Sequence, residues 1–143
     1  MKDPSDSIFT AIYGLLNSIT YLGESIPCYN VVPQSAGSSY IWITGYDLSE
    51  SSTNDRFMYE GYIVIQIVTG FDHPTYSEKK LDTIAGSVKN ALKPTIGSLL
   101  DLSPDFNNTF FYLENDQHDN DLEAVENMSR RIQRWRIGVE ELI

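Results

Sequence analysis

The 143-residue sequence predicts an α+β fold, a mostly antiparallel sheet of about five strands with two helices packed on one face. Two observations carry this. Apolar residues recur at three- and four-residue spacing in two stretches, whereas elsewhere short runs rich in Ile, Val, Tyr and Trp are bounded by turn-forming segments. The elements come in the order helix, three strands, helix, two strands, which groups the strands instead of alternating them strictly with helices.

Ile8, Phe9, Ala11, Ile12, Leu15, Leu16 and Ile19 make the apolar stripe of a first helix, with Asp6 or Ser7 placed to cap it and Gly23 just past its end. IPCYNVV (26–32), YIWITGY (40–46) and FMYEGYIVIQIVT (57–69) read as three consecutive antiparallel strands. The connection from Asp47 to Arg56 has no apolar residue except Leu48, so a flexible loop projecting from the sheet is expected there. Leu81, Ile84, Ala85, Val88 and Leu92 form the stripe of a second helix, opened by a capping box of Thr75 and Glu78 and ended by Pro94. TFFYLEN (109–115) and SRRIQRWRIGVEE (129–141) are the fourth and fifth strands. Between Glu114 and Glu126 lie six carboxylates and no Lys or Arg.

A chain of this length fits one domain, residues 1–143, around a single core. Its apolar runs stop well short of the roughly 20 residues of a membrane helix, and MKDPSDSIF lacks the features of a secretory signal, so cytoplasmic synthesis without membrane association is expected. The lone Cys28 excludes an intrachain disulfide and a thiolate-rich zinc site. A net charge of −10 argues against a free-standing DNA binder, because phosphate neutralisation needs a broad basic footprint.

No nucleophile with a base, no framed carboxylate pair and no phosphate-binding glycine motif is visible, so neither enzymatic activity nor a cofactor is expected. His73 reads as a loop residue beside the second helix, and His118 as a solvated member of an acidic turn. Asp116, His118, Asp119 and Asp121 lack the turn glycine and terminal Glu of a specific calcium loop, and a solvated loop is the simpler account.

The succession of a leading helix, the strand start Ile26-Pro27-Cys28-Tyr29, the YIWITG strand, the long FMYEGYIVIQIVT strand, the TYSEKKLDTIAGSVKNAL helix and a closing strand of arginines and aromatics resembles the tail-completion, or tail-terminator, proteins of tailed phages. The resemblance runs over nearly the whole chain and rests on the order of elements more than on invariant residues. It implies a structural virion protein forming a homo-oligomeric ring, hexameric or dodecameric, at the head-tail junction. Such a ring caps the tail tube, joins it to neck or connector proteins, and passes DNA without binding it specifically. The acidic connection QHDNDLEAVEN is longer than is usual there, which leaves open a neck or adaptor ring of a short-tailed phage. A small-ligand-binding α+β domain is the alternative from another class.

Tyr40, Trp42, Tyr46, Tyr59, Tyr62 and Trp135 supply more amphipathic aromatic area than a sheet with one covered face needs, which favours an interface. Four of the ten basic residues, Arg130, Arg131, Arg134 and Arg136, lie in the closing strand. Alternation sends Arg131, Gln133, Trp135, Ile137 and Val139 to one face, the core side, and Ile132, Arg134, Arg136 and Gly138 to the other. Arg134 and Arg136, with Tyr40, Trp42, Tyr59 and Tyr62, are thus the expected subunit interface, their guanidinium groups meeting carboxylates of the next subunit. Solvation, or pairing within the chain to the acidic segment, is the competing expectation. Ser49, Glu50, Asn54 and Asp55 mark the projecting loop that would meet a neighbouring ring. Glu114, Asp116, Asp119 and Asp121 are candidates to line an acidic lumen that does not hold phosphates.

Overall fold

A computed structural model describes residues 1–70, 74–119 and 128–142; the side chains of 74–78 and 119 lie outside what it describes. The elements are α1 (Ser5–Leu16), β1 (Thr20–Tyr21), β2 (Glu24–Ser25), β3 (Cys28–Tyr29), β4 (Ser39–Glu50), β5 (Met58–Gly70), α2 (Pro74–Leu92), β6 (Phe106–Asp119) and β7 (Met128–Glu141). β1 and β2 form a small hairpin, and the other strands form one sheet in the order β3-β4-β5-β7-β6. The fold class is as the sequence predicts.

Three local expectations are corrected. The first helix starts at Ser5, and Asp3, rather than Asp6 or Ser7, serves its first turn: its Oδ1 accepts the Ser5 amide at 2.9 Å and the Ser5 hydroxyl at 2.7 Å. Gly23 is not a helix terminator. It follows Leu22 in the β1–β2 turn, where both residues take positive φ (82° and 50°), the backbone of a tight two-residue hairpin. Residues 26–32 are not a full strand and not antiparallel, since only Cys28 and Tyr29 pair, in parallel, with Ile41 and Trp42. Pro27 and Pro33 cannot donate to a ladder, and the connection from Asn30 to Ser38 carries the chain back to the same end of the sheet.

The loop expected from Asp47 to Arg56 is shorter than predicted. Asp47, Leu48, Ser49 and Glu50 continue β4 and pair with Tyr62, Gly61, Glu60 and Tyr59. Polar residues suit this stretch because their side of the ribbon faces solvent. Beyond Glu50 the connection is tied by Ser51 N–H to the Met58 carbonyl (2.8 Å) and Thr53 N–H to the Arg56 carbonyl (3.0 Å). β6 likewise runs from Phe106 to Asp119, so Asp116 and His118 belong to a strand and not to an acidic turn. His73 lies outside the described residues, as do the side chains of the Thr75–Glu78 capping box.

Both helices bury their stripes against one side of the sheet. Ile8, Ile12 and Leu16 of α1 and Leu81, Ile84, Ala85, Val88 and Leu92 of α2 share a core with Ile41, Ile43, Ile63, Ile65, Ile67, Phe111, Trp135, Ile137 and Val139. Trp135, 1% exposed, stacks on Phe111 with ring centroids 4.9 Å apart and planes 12° from parallel. Gln133 is fully buried and spends both ends of its amide: Nε2 donates to the Ala85 carbonyl (3.3 Å) and Oε1 accepts the Trp135 indole N–H (3.1 Å). Burying that amide without partners would cost kilocalories, so its pairing fixes α2 over β7.

Candidate functional site

The side of the sheet away from the helices carries no described element. Pairing registers lay its side chains in rows across β4, β5, β7 and β6: Trp42, Gln66, Ile132, Gln117; then Gly45, Val64, Arg134, Asn115; then Asp47, Tyr62, Arg136, Tyr112. One row further, Gly138 lies beside Phe110, whose ring takes the space of the missing side chain; a Cβ on Gly138 would sit 2.3 Å from it. This open face combines aromatic surface, short aliphatic side chains and arginine.

Its centre is an arginine-tyrosine stack. The Arg134 guanidinium lies 3.6 Å from the Tyr62 ring centroid, and Glu114 Oε2 stands 3.0 Å from its Nε, an ionic contact without hydrogen-bond alignment. Glu114 occupies the bulge between Leu113 and Asn115, which turns it toward β7. The Tyr62 hydroxyl bonds Asp47, and this bond, more than the surrounding charges, holds its phenol above the ordinary value. Arg136, two residues along the same face, has no ion pair among the described residues. It lines a shallow hollow with Asp47, Ser49, Glu60 and Tyr62. Thus Arg134 pairs within its own chain, and Arg136 has no ion pair among the described residues.

Other expected site residues are distributed more widely. Tyr40 packs near Tyr29, centroids 6.0 Å apart, and the Trp42 indole donates to the Asn30 carbonyl at 3.0 Å, both on the open side at the β3 edge. Tyr59 and Tyr46 face the helices instead: Tyr59 donates to the Lys2 carbonyl (2.9 Å), and both pack on the core. A bulge between Ile43 and Gly45 shifts the alternation of β4, which is why Tyr46 leaves the side occupied by Tyr40 and Trp42. Ser49, Glu50, Asn54 and Asp55 are exposed at and just beyond the end of the β4–β5 ribbon.

Of the four carboxylates expected to line a lumen, the two whose side chains are described, Glu114 and Asp116, have different partners. Glu114 is exposed beside Arg134; Asp116 is turned to the helix side; Asp119 is described only in its backbone; Asp121 lies outside the described residues. Asp116 is the centre of a charge cluster that sequence reasoning missed. Arg131 grips it with two hydrogen bonds (2.7 and 2.8 Å), Lys89 of α2 contacts it at 2.6 Å, and Arg131 also reaches Asp82 (2.9 Å), which His118 approaches at 3.1 Å. Burial raises the Asp116 pKa, but the bonds from Arg131 and Lys89 outweigh it, leaving the carboxyl below its ordinary value. The cluster is a strap between α2 and the β6–β7 ribbon. Among the described residues, no group of three His, Cys, Asp or Glu side chains could hold a metal ion, and no helix is long and apolar enough to cross a membrane.

No family model matches the sequence, and no curated protein matches it. Among solved structures, the chain is similar to a chain of a structure described as the virion of a native gene transfer agent particle. The two share a TM-score of 0.75 over 98% of this chain and 99% of that one, at 19% identity. The likeness is one of fold, end to end.

Proposed function

We propose that the chain is a structural virion protein, a tail-terminator or tail-completion subunit. In this role it closes with its copies into a ring at the head-tail junction, caps the tail tube and joins it to the neck while DNA passes through. The observation that carries this is the full-length likeness of fold to a chain from a phage-like virion particle, with no unmatched domain on either side. The open sheet face is consistent with it: Tyr62, Tyr112, Val64 and Ile132 around two arginines have the aromatic and guanidinium character of protein interfaces. In this reading Arg134, Arg136, Tyr40, Trp42 and Tyr62 belong to subunit contacts, and the end of the β4–β5 ribbon meets a neighbouring ring. Multi-angle light scattering with negative-stain microscopy tests it. Closed rings of defined mass are expected, and a stable monomer at all concentrations, alone and with tail tubes, would refute it.

A further inference from the structure

The two sides of the β4–β5 ribbon differ in what they offer a partner. On the helix side, the ribbon and the start of α1 form a cleft of about 460 Å³ lined by Met1, Asp3, Tyr46, Leu48, Glu50 and Tyr59. Neither Asp3 nor Glu50 is in an ion pair among the described residues. The bonds from Ser5 hold the Asp3 carboxyl below its ordinary value, which keeps it charged at neutral pH. Burial, then the charges of Glu50, Glu141 and Asp3, push the Tyr59 phenol up, so three carboxylates converge on this tyrosine. Nearby cations are engaged elsewhere: Lys2 Nζ lies 2.9 Å from Asp105, and Arg56 lies 3.4 Å from Glu140. The Tyr46 hydroxyl in the cleft wall is buried without a hydrogen-bond partner, a state that buried polar groups rarely keep.

An acidic cleft with two phenol rings and an apolar Leu48 suits a planar cation on an aliphatic stem. A guanidinium can lie against the rings while its fork faces the carboxylates. The chain carries such a group on the other side of the same ribbon. Arg136 shares a row with Tyr62 and Asp47, three residues along β4 from Glu50, and has no ion pair among the described residues. Asp47 and Glu60 line its hollow, and neither pairs with it. Two strand spacings across and three residues along put the Cα atoms of Glu50 and Arg136 roughly 14 Å apart, with the sheet between their side chains. Within one copy, cation and cleft stay apart.

We propose that Arg136 of one copy enters the Asp3–Glu50 cleft of the next copy. This rests on the ring reading and specifies its contact. Donor and acceptor lie on opposite faces of one ribbon, so each copy gives one arginine and receives one. Such a contact is heterologous, head to tail, the type that closes into rings when the rotation permits. The charge pair fixes register, because a shifted copy leaves Arg136 unpaired and brings the carboxylates of two acidic chains together. The connection beyond Glu50 stays free for a neighbouring ring.

A double-mutant cycle tests it. Glu50→Gln, Arg136→Gln and the double variant are compared with wild type, after circular dichroism and urea unfolding verify that each keeps the fold. Ring formation is followed by light scattering and negative stain. Each single variant is expected to raise the concentration for half-assembly about tenfold, and the double variant no further, since both substitutions remove the same contact. Charge exchange gives the complement: Glu50→Arg and Arg136→Glu each abolish rings, and the two in one chain recover them. Losses that multiply in the double Gln variant, or a charge exchange that recovers nothing, would overturn the docking while the ring reading stands. Rings unchanged by either Glu50 substitution, with binding to tail tubes weakened, would assign the cleft to a basic side chain of another protein and equally overturn it. If the wild-type chain forms no ring even on tail tubes, the ring reading falls and this contact with it.

Discussion

Gly61 is the residue where a single methyl group should do most damage. It sits in β5 opposite Leu48, and a Cβ there would lie 1.7 Å from the Asp47 carbonyl oxygen and 2.8 Å from its carbon. Carbon and oxygen need a little over 3 Å, so β4 and β5 would have to part by about 1.5 Å. The obstacle is backbone, so no rotamer change relieves it. Parting the strands disrupts the ladder from Asp47 to Glu50 and loosens Tyr46, Leu48 and Tyr59 on the core. Overpacking costs about 1–3 kcal/mol and each lost hydrogen bond about 1 kcal/mol, whereas replacing glycine returns less than about 1 kcal/mol of chain entropy. We expect Gly61→Ala to destabilise by about 3 kcal/mol, a fall in Tm of about 6–12 °C for a chain of this size. Gly86→Ala is the matched control, because an added Cβ on the exposed side of α2 meets nothing within 4 Å. It should stabilise by about 0.5–1 kcal/mol. Urea and thermal unfolding of both proteins measure the contrast. A Gly61→Ala protein within about 0.5 kcal/mol of wild type would refute the close approach of β4 and β5.

Trp135→Ala removes the largest buried side chain and its stack on Phe111, and should cost about 3–5 kcal/mol, read from the urea midpoint. Asp116 has a depressed pKa in the folded state, so its contribution is complete above the ordinary carboxylate value of 3.8 and is lost as pH falls through the folded value. Asp116→Asn should therefore be less stable than wild type at pH 7, with the gap closing in acid below that value; a gap independent of pH from 7 to 2 would exclude the strap as its origin. Replacing residues 52–57 by an Asn-Gly turn, which closes directly on the hydrogen-bonded pair Ser51 and Met58, should leave stability within about 0.5 kcal/mol, because the strand residues Ser49 and Glu50 keep their register, while weakening attachment of the tail tube in particle assembly assays. Unchanged yields of infectious particles would remove the role given to that loop.

The sequence by itself determined the fold class, the two helical stripes and the inward side of the closing strand, since burial on one face leaves a period that neighbouring residues display together. Trp135, Ile137 and Val139 were legible as core for that reason. Tyr59 and Tyr62, an odd number of residues apart in one strand, were equally legible as lying on opposite faces, a signal the aromatic surplus obscured. Only the tertiary structure decided the rest. The β4 bulge reversed the phase at Tyr46, a backbone event that no side-chain period records. Sheet order put β7 between β5 and β6, which gave Arg134 its Tyr62 platform and Glu114 contact, and brought Arg131 to an Asp82 that is 49 residues away in sequence. A charged side chain has the same local pattern whether it is solvated, paired or left for a partner, because its role is set by which distant strand or helix arrives beside it.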